Sequence, residues 1–207
     1  KKIPAGGTIT FLKDLEYSPE GNTDNIQRIQ GYANDITFDL NNFTFTLNYR
    51  WQLSTAKKFL FKNGNIVAEK SPYSNTSATF FGNAGADSVF TFENVNFSIV
   101  ENNLFQLYSG AVVVKGGTIN APELTAINLN TTNSHSVTLD GVTVNAGVAI
   151  STSYMQTSVG MKNVYEVNNC VINASFEAFR VMNYNPSTIT IAEDDFVKIN
   201  VSNSYIN

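Results

Sequence analysis

The sequence has one cysteine, Cys170, so no intrachain disulfide can form. This does not exclude the cell exterior, because bacterial surface and phage proteins often lack disulfides and a chain of 207 residues can stand on its core alone. Charge is scarce as well: 14% of residues are Asp, Glu, Lys or Arg, against a usual share of about 25%. The net charge is −4, and the 13 Lys and Arg residues are scattered, with Lys1-Lys2 and Lys57-Lys58 the only basic pairs. A basic face for nucleic acid is therefore not expected. His135 is the one histidine, which excludes a histidine-rich metal site and leaves Ser-His-Asp catalysis without support. No apolar run approaches the roughly 20 residues of a membrane helix, so membrane insertion is not expected. No stretch carries the amphipathic period of an α-helix either. The sequence opens at Lys1 rather than Met and shows no signal-peptide pattern, and we expect a processed product or the ordered part of a longer chain.

Asparagine is abundant: it occurs 28 times and, with Ser and Thr, meets water where charge usually would. It also sits in a recurring pattern of apolar, polar, Asn or Gly, two free positions, and apolar. The copies are LNNFTF from Leu40, FKNGNI from Phe61, FENVNF from Phe92, VKGGTI from Val114, LDGVTV from Leu139, VNNCVI from Val167 and VSNSYI from Val201. Recurrence every 20 to 35 residues or so is the signature of a solenoid, whose units bury their apolar faces against one another.

With the first apolar residue as position zero, position minus two is always β-branched or aromatic: Phe38, Phe59, Phe90, Val112, Val137, Tyr165 and Ile199. Beyond the motif, alternation resumes in Phe43-Phe45-Leu47, Val95-Phe97-Ile99, Val142-Val144-Ala146 and Cys170-Ile172-Ala174. Period two on both sides predicts two strands, each with one face inward. Position plus two breaks the alternation with Asn42, Asn63, Asn94, Gly116, Gly141, Asn169 and Asn203. Gly, and Asn at small cost, takes the left-handed conformation that bends one strand into the next. If coils stack at about 4.8 Å, these amides are also expected to bond one above the other as a turn ladder. A third strand is predicted at 104–108, 125–129, 148–151 and 178–182. The pattern predicts an all-β parallel β-helix of about seven to eight coils, three strands per coil. Residues 1–207 form one domain in this reading, with 1–34 an irregular starting coil and 35–207 the regular coils.

These residues resemble the right-handed parallel β-helix of the pectate-lyase-like superfamily. The opening Gly6–Asp14 phrase, followed by Ile36–Leu47, is similar to the first coils of pectin-lyase-like adhesive domains of bacterial surface proteins. Phage tail spikes and fibres use similar solenoids. The resemblance implies a right-handed winding and an extracellular place on a bacterial cell surface or a virion.

Enzymes of this fold act through carboxylates on adjacent coils. Position plus one offers Glu93 and Asp140, but Lys115 intervenes; Asp39 and Glu166 share position minus one but are five coils apart in the reading. Glu193, Asp194 and Asp195 form an acidic cluster read as a solvated loop. No catalytic residue, metal or cofactor is expected. Arg180 is either half of a surface ion pair beside Glu177 or a sugar contact. In the second case Tyr108 and Tyr184 would be stacking platforms, and Gln106, Asn128 and Asn130 hydrogen-bond partners. Trp51 is expected in a loop, as an anchor or a binding aromatic, and Phe80-Phe81 in the long 71–86 loop, as a clamp or a partner contact. Cys170 is expected in the core. The leading expectation is a non-enzymatic attachment or structural module contacting glycan or a cell-surface or virion protein, as a homotrimer or part of a larger chain. The rivals are a polysaccharide lyase or hydrolase and a purely structural virion subunit.

Overall fold

The computed structural model describes residues 4–17, 27–28, 35–48, 51–53, 57–69, 79–83, 86–100, 103–107, 109–131, 134–154, 162–183 and 196–207. Strand is the only regular structure among them, and every strand pairing is parallel. This architecture is compatible with a β-helix solenoid. One succession of pairings joins Gly7–Thr10, Asp35–Asp39 and Lys58–Ala68, then continues through Val89–Ile99, Gly110–Thr131, His135–Asp140, Lys162–Asn168 and Phe196–Ser202. A second joins the segments that follow the Asn or Gly turn, from Leu15–Tyr17 to Tyr205–Ile206. A third runs from Gln27–Arg28 through Trp51–Leu53, Thr79–Asn83 and Asn103–Leu107 into the later parts of Gly110–Thr131, Thr143–Tyr154 and Val171–Asn183.

Asn42, Asn63, Asn94, Asn169 and Asn203 all have positive φ, between 48° and 68°, and Gly116 and Gly141 have φ of 66° and 67°. Lys62 pairs with Glu93 and Gly64 with Val95, so Asn63 and Asn94 lie one above the next. The side-chain bonding there differs from an amide-to-amide turn ladder. Asn63 Nδ2 donates to Asp39 Oδ1 at 3.2 Å and Asn169 Nδ2 to Asp140 Oδ1 at 2.9 Å, so each amide caps a carboxylate of the preceding turn. An amide ladder does exist, four positions further along. Asn145 donates to Asn120 and Asn173 to Asn145, both at 2.7 Å, and Asn207 donates to Asn173 at 2.8 Å. Strand positions there keep the side chains at uniform spacing, whereas Gly116 and Gly141 interrupt the turn column.

The first copy of the motif is displaced by two residues from its expected register. Phe38, not Leu40, pairs with Phe61, and Asp39 pairs with Lys62. Thr44 pairs with Asn65, so four residues, Leu40 to Phe43, face two, Asn63 and Gly64. The turn absorbs the extra pair by setting both Asn41 (φ 49°) and Asn42 (φ 68°) left-handed. It then folds Leu40 inward over Gly64, where a Cβ would stand 2.5 Å from Leu40 Cβ and 2.7 Å from the Phe43 carbonyl oxygen. Gly64 is a glycine because the longer turn occupies its side-chain space.

The inward columns make one core. Its first half is aromatic: Phe38, Phe61 and Phe92 stack with centroids 4.6 and 5.3 Å apart and planes within 8° and 14°. Phe81 wedges edge-on between Phe90 and Phe92, at 5.2 and 5.1 Å. Here the expectation that Phe80-Phe81 lie in a loop is corrected, while Phe81 packs against the coil as the clamp reading has it. Thr79–Asn83 is a strand, and Phe81 is fully buried. Further along, Val114, Leu139 and Val167 take the places of Phe61 and Phe92, while the neighbouring column runs through Val112 and Val137 to the buried aromatic Tyr165. Each such buried side chain contributes about 1.5–3 kcal/mol through removal from water.

Candidate functional site

Asn128 and Arg180, two of the residues singled out for binding, lie in the third succession, with the buried Ser151 between them. Asn128, Ser151 and Arg180 are register partners on successive strands. Asn130 lies two residues beyond Asn128 and pairs with Ser153. Arg180 Nε donates to Glu177 Oε2, so the guanidinium is part of a surface ion pair. Tyr108 and Tyr184 lie outside the described residues, as do Glu193, Asp194 and Asp195. Trp51 opens a strand rather than sitting in a loop. It pairs with Phe81, in register with Phe105, Ile127, Ile150 and Phe179, one position away from the Asn128–Arg180 column.

The structure adds an aromatic that periodicity did not indicate. Ala146 pairs with Ala174 and Val148 with Glu177, so the later strand has an extra residue in a bulge. The bulge turns Phe176 outward, to 66% exposure, beside Glu177. Alternation alone cannot locate such a residue, because the bulge resets the parity.

The outer column of the first succession holds Asp39, Lys62, Glu93, Lys115 and Asp140, strictly alternating in sign. This corrects the expectation that Asp39 shares a column with Glu166; the longer turn moves it by two residues. Lys62 Nζ is 3.3 Å from Asp39 Oδ2 and Lys115 Nζ is 3.7 Å from Glu93 Oε1. Burial pushes the Asp39 carboxyl up, but hydrogen bonds from Asn63, the Asn41 N–H and Lys62, with the Lys62 charge, outweigh it and hold the group below its ordinary value.

His135 is buried and belongs to the core. Its Nε2 lies 3.0 Å from the Tyr165 hydroxyl, which donates to Thr152 Oγ1 at 3.2 Å, while its backbone N–H donates to Asn163 Oδ1 at 3.0 Å. Cys170 is 1% exposed; burial pushes its thiol up, and its S–H donates to the Asn168 carbonyl at 3.1 Å. That environment makes a poor nucleophile. Among the described residues no group of three or more His, Cys, Asp and Glu side chains could hold a metal ion, and no helix is long and apolar enough to cross a membrane.

A concave surface lies at the Asn turns. It is a cleft of about 460 Å³ lined by Asn41, Asn42, Asn63, Asn65, Asn94 and Asn96, with Asp39 at its edge. No family model, no curated protein and no solved structure matches this chain.

Proposed function

We propose that the chain is a right-handed parallel β-helix of about seven to eight coils, three strands per coil, of the pectate-lyase-like kind. On this reading it serves as a non-enzymatic extracellular attachment or structural module on a bacterial surface or virion. The third strand stack is its contact face, with Asn128 and Arg180 offering amide and cationic groups to a glycan or surface protein and Phe176, in the bulge before that stack, an aromatic one. The observation that carries the reading is the alternating column of Asp39, Lys62, Glu93, Lys115 and Asp140. Catalytic carboxylate pairs need an acid and a base or nucleophile facing one substrate bond. Here a lysine intervenes between each carboxylate and the next, and Lys62 and Lys115 pair with Asp39 and Glu93.

Turnover and binding on one preparation test this. Incubation with acidic and neutral polysaccharides plus calcium is expected to release neither unsaturated nor reducing sugar. Steady release would shift the reading to a lyase or hydrolase. Binding on a glycan array is expected to fall about tenfold when Arg180→Ala and Phe176→Ala are combined, as for loss of an aromatic and a cationic anchor. No glycan binding, together with a solution mass of a trimer of the 22.7 kDa chain, would favour a purely structural subunit.

A further inference from the structure

We propose that the cleft at the Asn turns is a second binding site, taking a neutral polyhydroxylated ligand such as a hexose unit. It lies on the turn between the first two strand successions, apart from the Asn128–Arg180 face, and does not depend on that face binding anything. Three successive turns line it, from Asp39–Asn42, Asn63–Asn65 and Asn94–Asn96. Its volume of about 460 Å³ is in the range of ligand clefts.

The chemistry of the lining selects the ligand class. The side-chain amides of Asn42 and Asn94 have no protein partner among the described residues. Asn63 gives one N–H to Asp39 and keeps its second N–H and its carbonyl oxygen for a ligand. Asn96 donates to Asn65 Oδ1 at 3.3 Å, which leaves the Asn96 oxygen and the Asn65 NH₂ for a ligand. Donors and acceptors are thus nearly balanced and uncharged, which matches hydroxyl groups that both give and accept protons.

A cation is disfavoured. The one carboxylate, Asp39, already accepts from Asn41 N–H and Asn63 Nδ2 at 3.2 Å and faces the Lys62 ammonium at 3.3 Å. An anion is disfavoured too, because Lys62 is that carboxylate's partner. The longer turn is also what makes the site local. It carries two left-handed asparagines, Asn41 and Asn42, where the turns at Asn63 and Asn94 carry one each.

The test uses the whole chain, ¹⁵N-labelled, titrated with methyl glycosides of glucose, mannose and galactose. Galacturonate and calcium chloride serve as comparison probes. We expect shifts of the side-chain amide signals of Asn42, Asn65, Asn94 and Asn96 with at least one neutral glycoside at millimolar concentrations, and smaller or no shifts with galacturonate or calcium. The Asn42→Gly, Asn94→Gly variant keeps residues suited to φ of 68° and 54° and should melt like the parent. Its affinity should fall about tenfold for the lost hydrogen bonds. Arg180→Ala with Phe176→Ala should leave these shifts unchanged, which separates this site from the third-strand face. No shift with any neutral glycoside, equal shifts with calcium or galacturonate, or undiminished binding by the glycine variant would overturn the proposal.

Discussion

At the scale of single residues, the fold turns on where a left-handed backbone is needed and where a side chain has no room. Asn at φ near 55° is tolerated because its short amide can reach a neighbouring strand, as Asn63 reaches Asp39. Gly64 answers the other need. An added Cβ would meet Leu40 Cβ at 2.5 Å and a backbone oxygen at 2.7 Å, contacts too short to exist without a shift. Overpacking of this kind costs about 1–3 kcal/mol. Gly64→Ala should therefore lower the unfolding free energy by that amount, read from the shift of the urea midpoint. An unchanged midpoint would mean that Leu40 does not lie over Gly64 and that the longer turn is misdescribed. Gly117 is constrained likewise, since a Cβ at its φ of 82° would stand 2.1 Å from the Val95 oxygen.

At the scale of strands and turns, neighbours speak to one another down columns. The Asp39–Lys62 pair and the Asn63 cap stabilise the ionised Asp39 carboxylate in the folded chain. Because the folded value lies below the unfolded one, this stabilisation is present above the unfolded pKa of about 3.9 and is lost as pH falls through the lower folded value. Asp39→Asn should be less stable than the parent at neutral pH and should lose less stability on acidification below about pH 4, seen in melting curves across pH. Parallel pH profiles for the two proteins would contradict the pairing.

Much of this level was legible in the sequence, because period two and a left-handed residue are local properties. The inward columns and the turn residues Asn63, Asn94, Gly116 and Gly141 needed no tertiary information. The register of the first copy was not legible. LNNFTF satisfies the motif as written, yet Leu40 fills a turn while Phe38 takes the stacking position, and only pairing with Phe61 separates the two. The strand at Thr79–Asn83 was masked by the polar residues preceding it, although Phe81 is a centre of the aromatic core. Of the expected contact residues, Asn128 and Arg180 share a column, but Phe176 emerges only through a bulge that resets the alternation.

At the scale of the whole molecule, long-range parallel pairing is the source of both rigidity and display. The strands from Asp35–Asp39 to Lys162–Asn168 pack their inner faces together, so the core is continuous from the stacked Phe38, Phe61 and Phe92 to Leu139 and Val167. The outer faces are thereby fixed at the strand repeat, and amide, charge and aromatic groups recur there in line. The central claim is this in-register parallel stacking, and disulfide trapping tests it most directly. Thr91 pairs with Val113, and Val113 with Thr138, on an outward-facing column. Adjacent strands lie about 4.8 Å apart, within disulfide reach, and strands two apart lie about 9.6 Å apart, beyond it. Cys170 is buried with its thiol proton held, so it stays out of the reaction. Under mild oxidation, Thr91→Cys with Val113→Cys should close to a disulfide, and Thr91→Cys with Thr138→Cys should remain reduced. A free in-register pair, or equal closure of the distant one, would contradict the stacking and everything built on it.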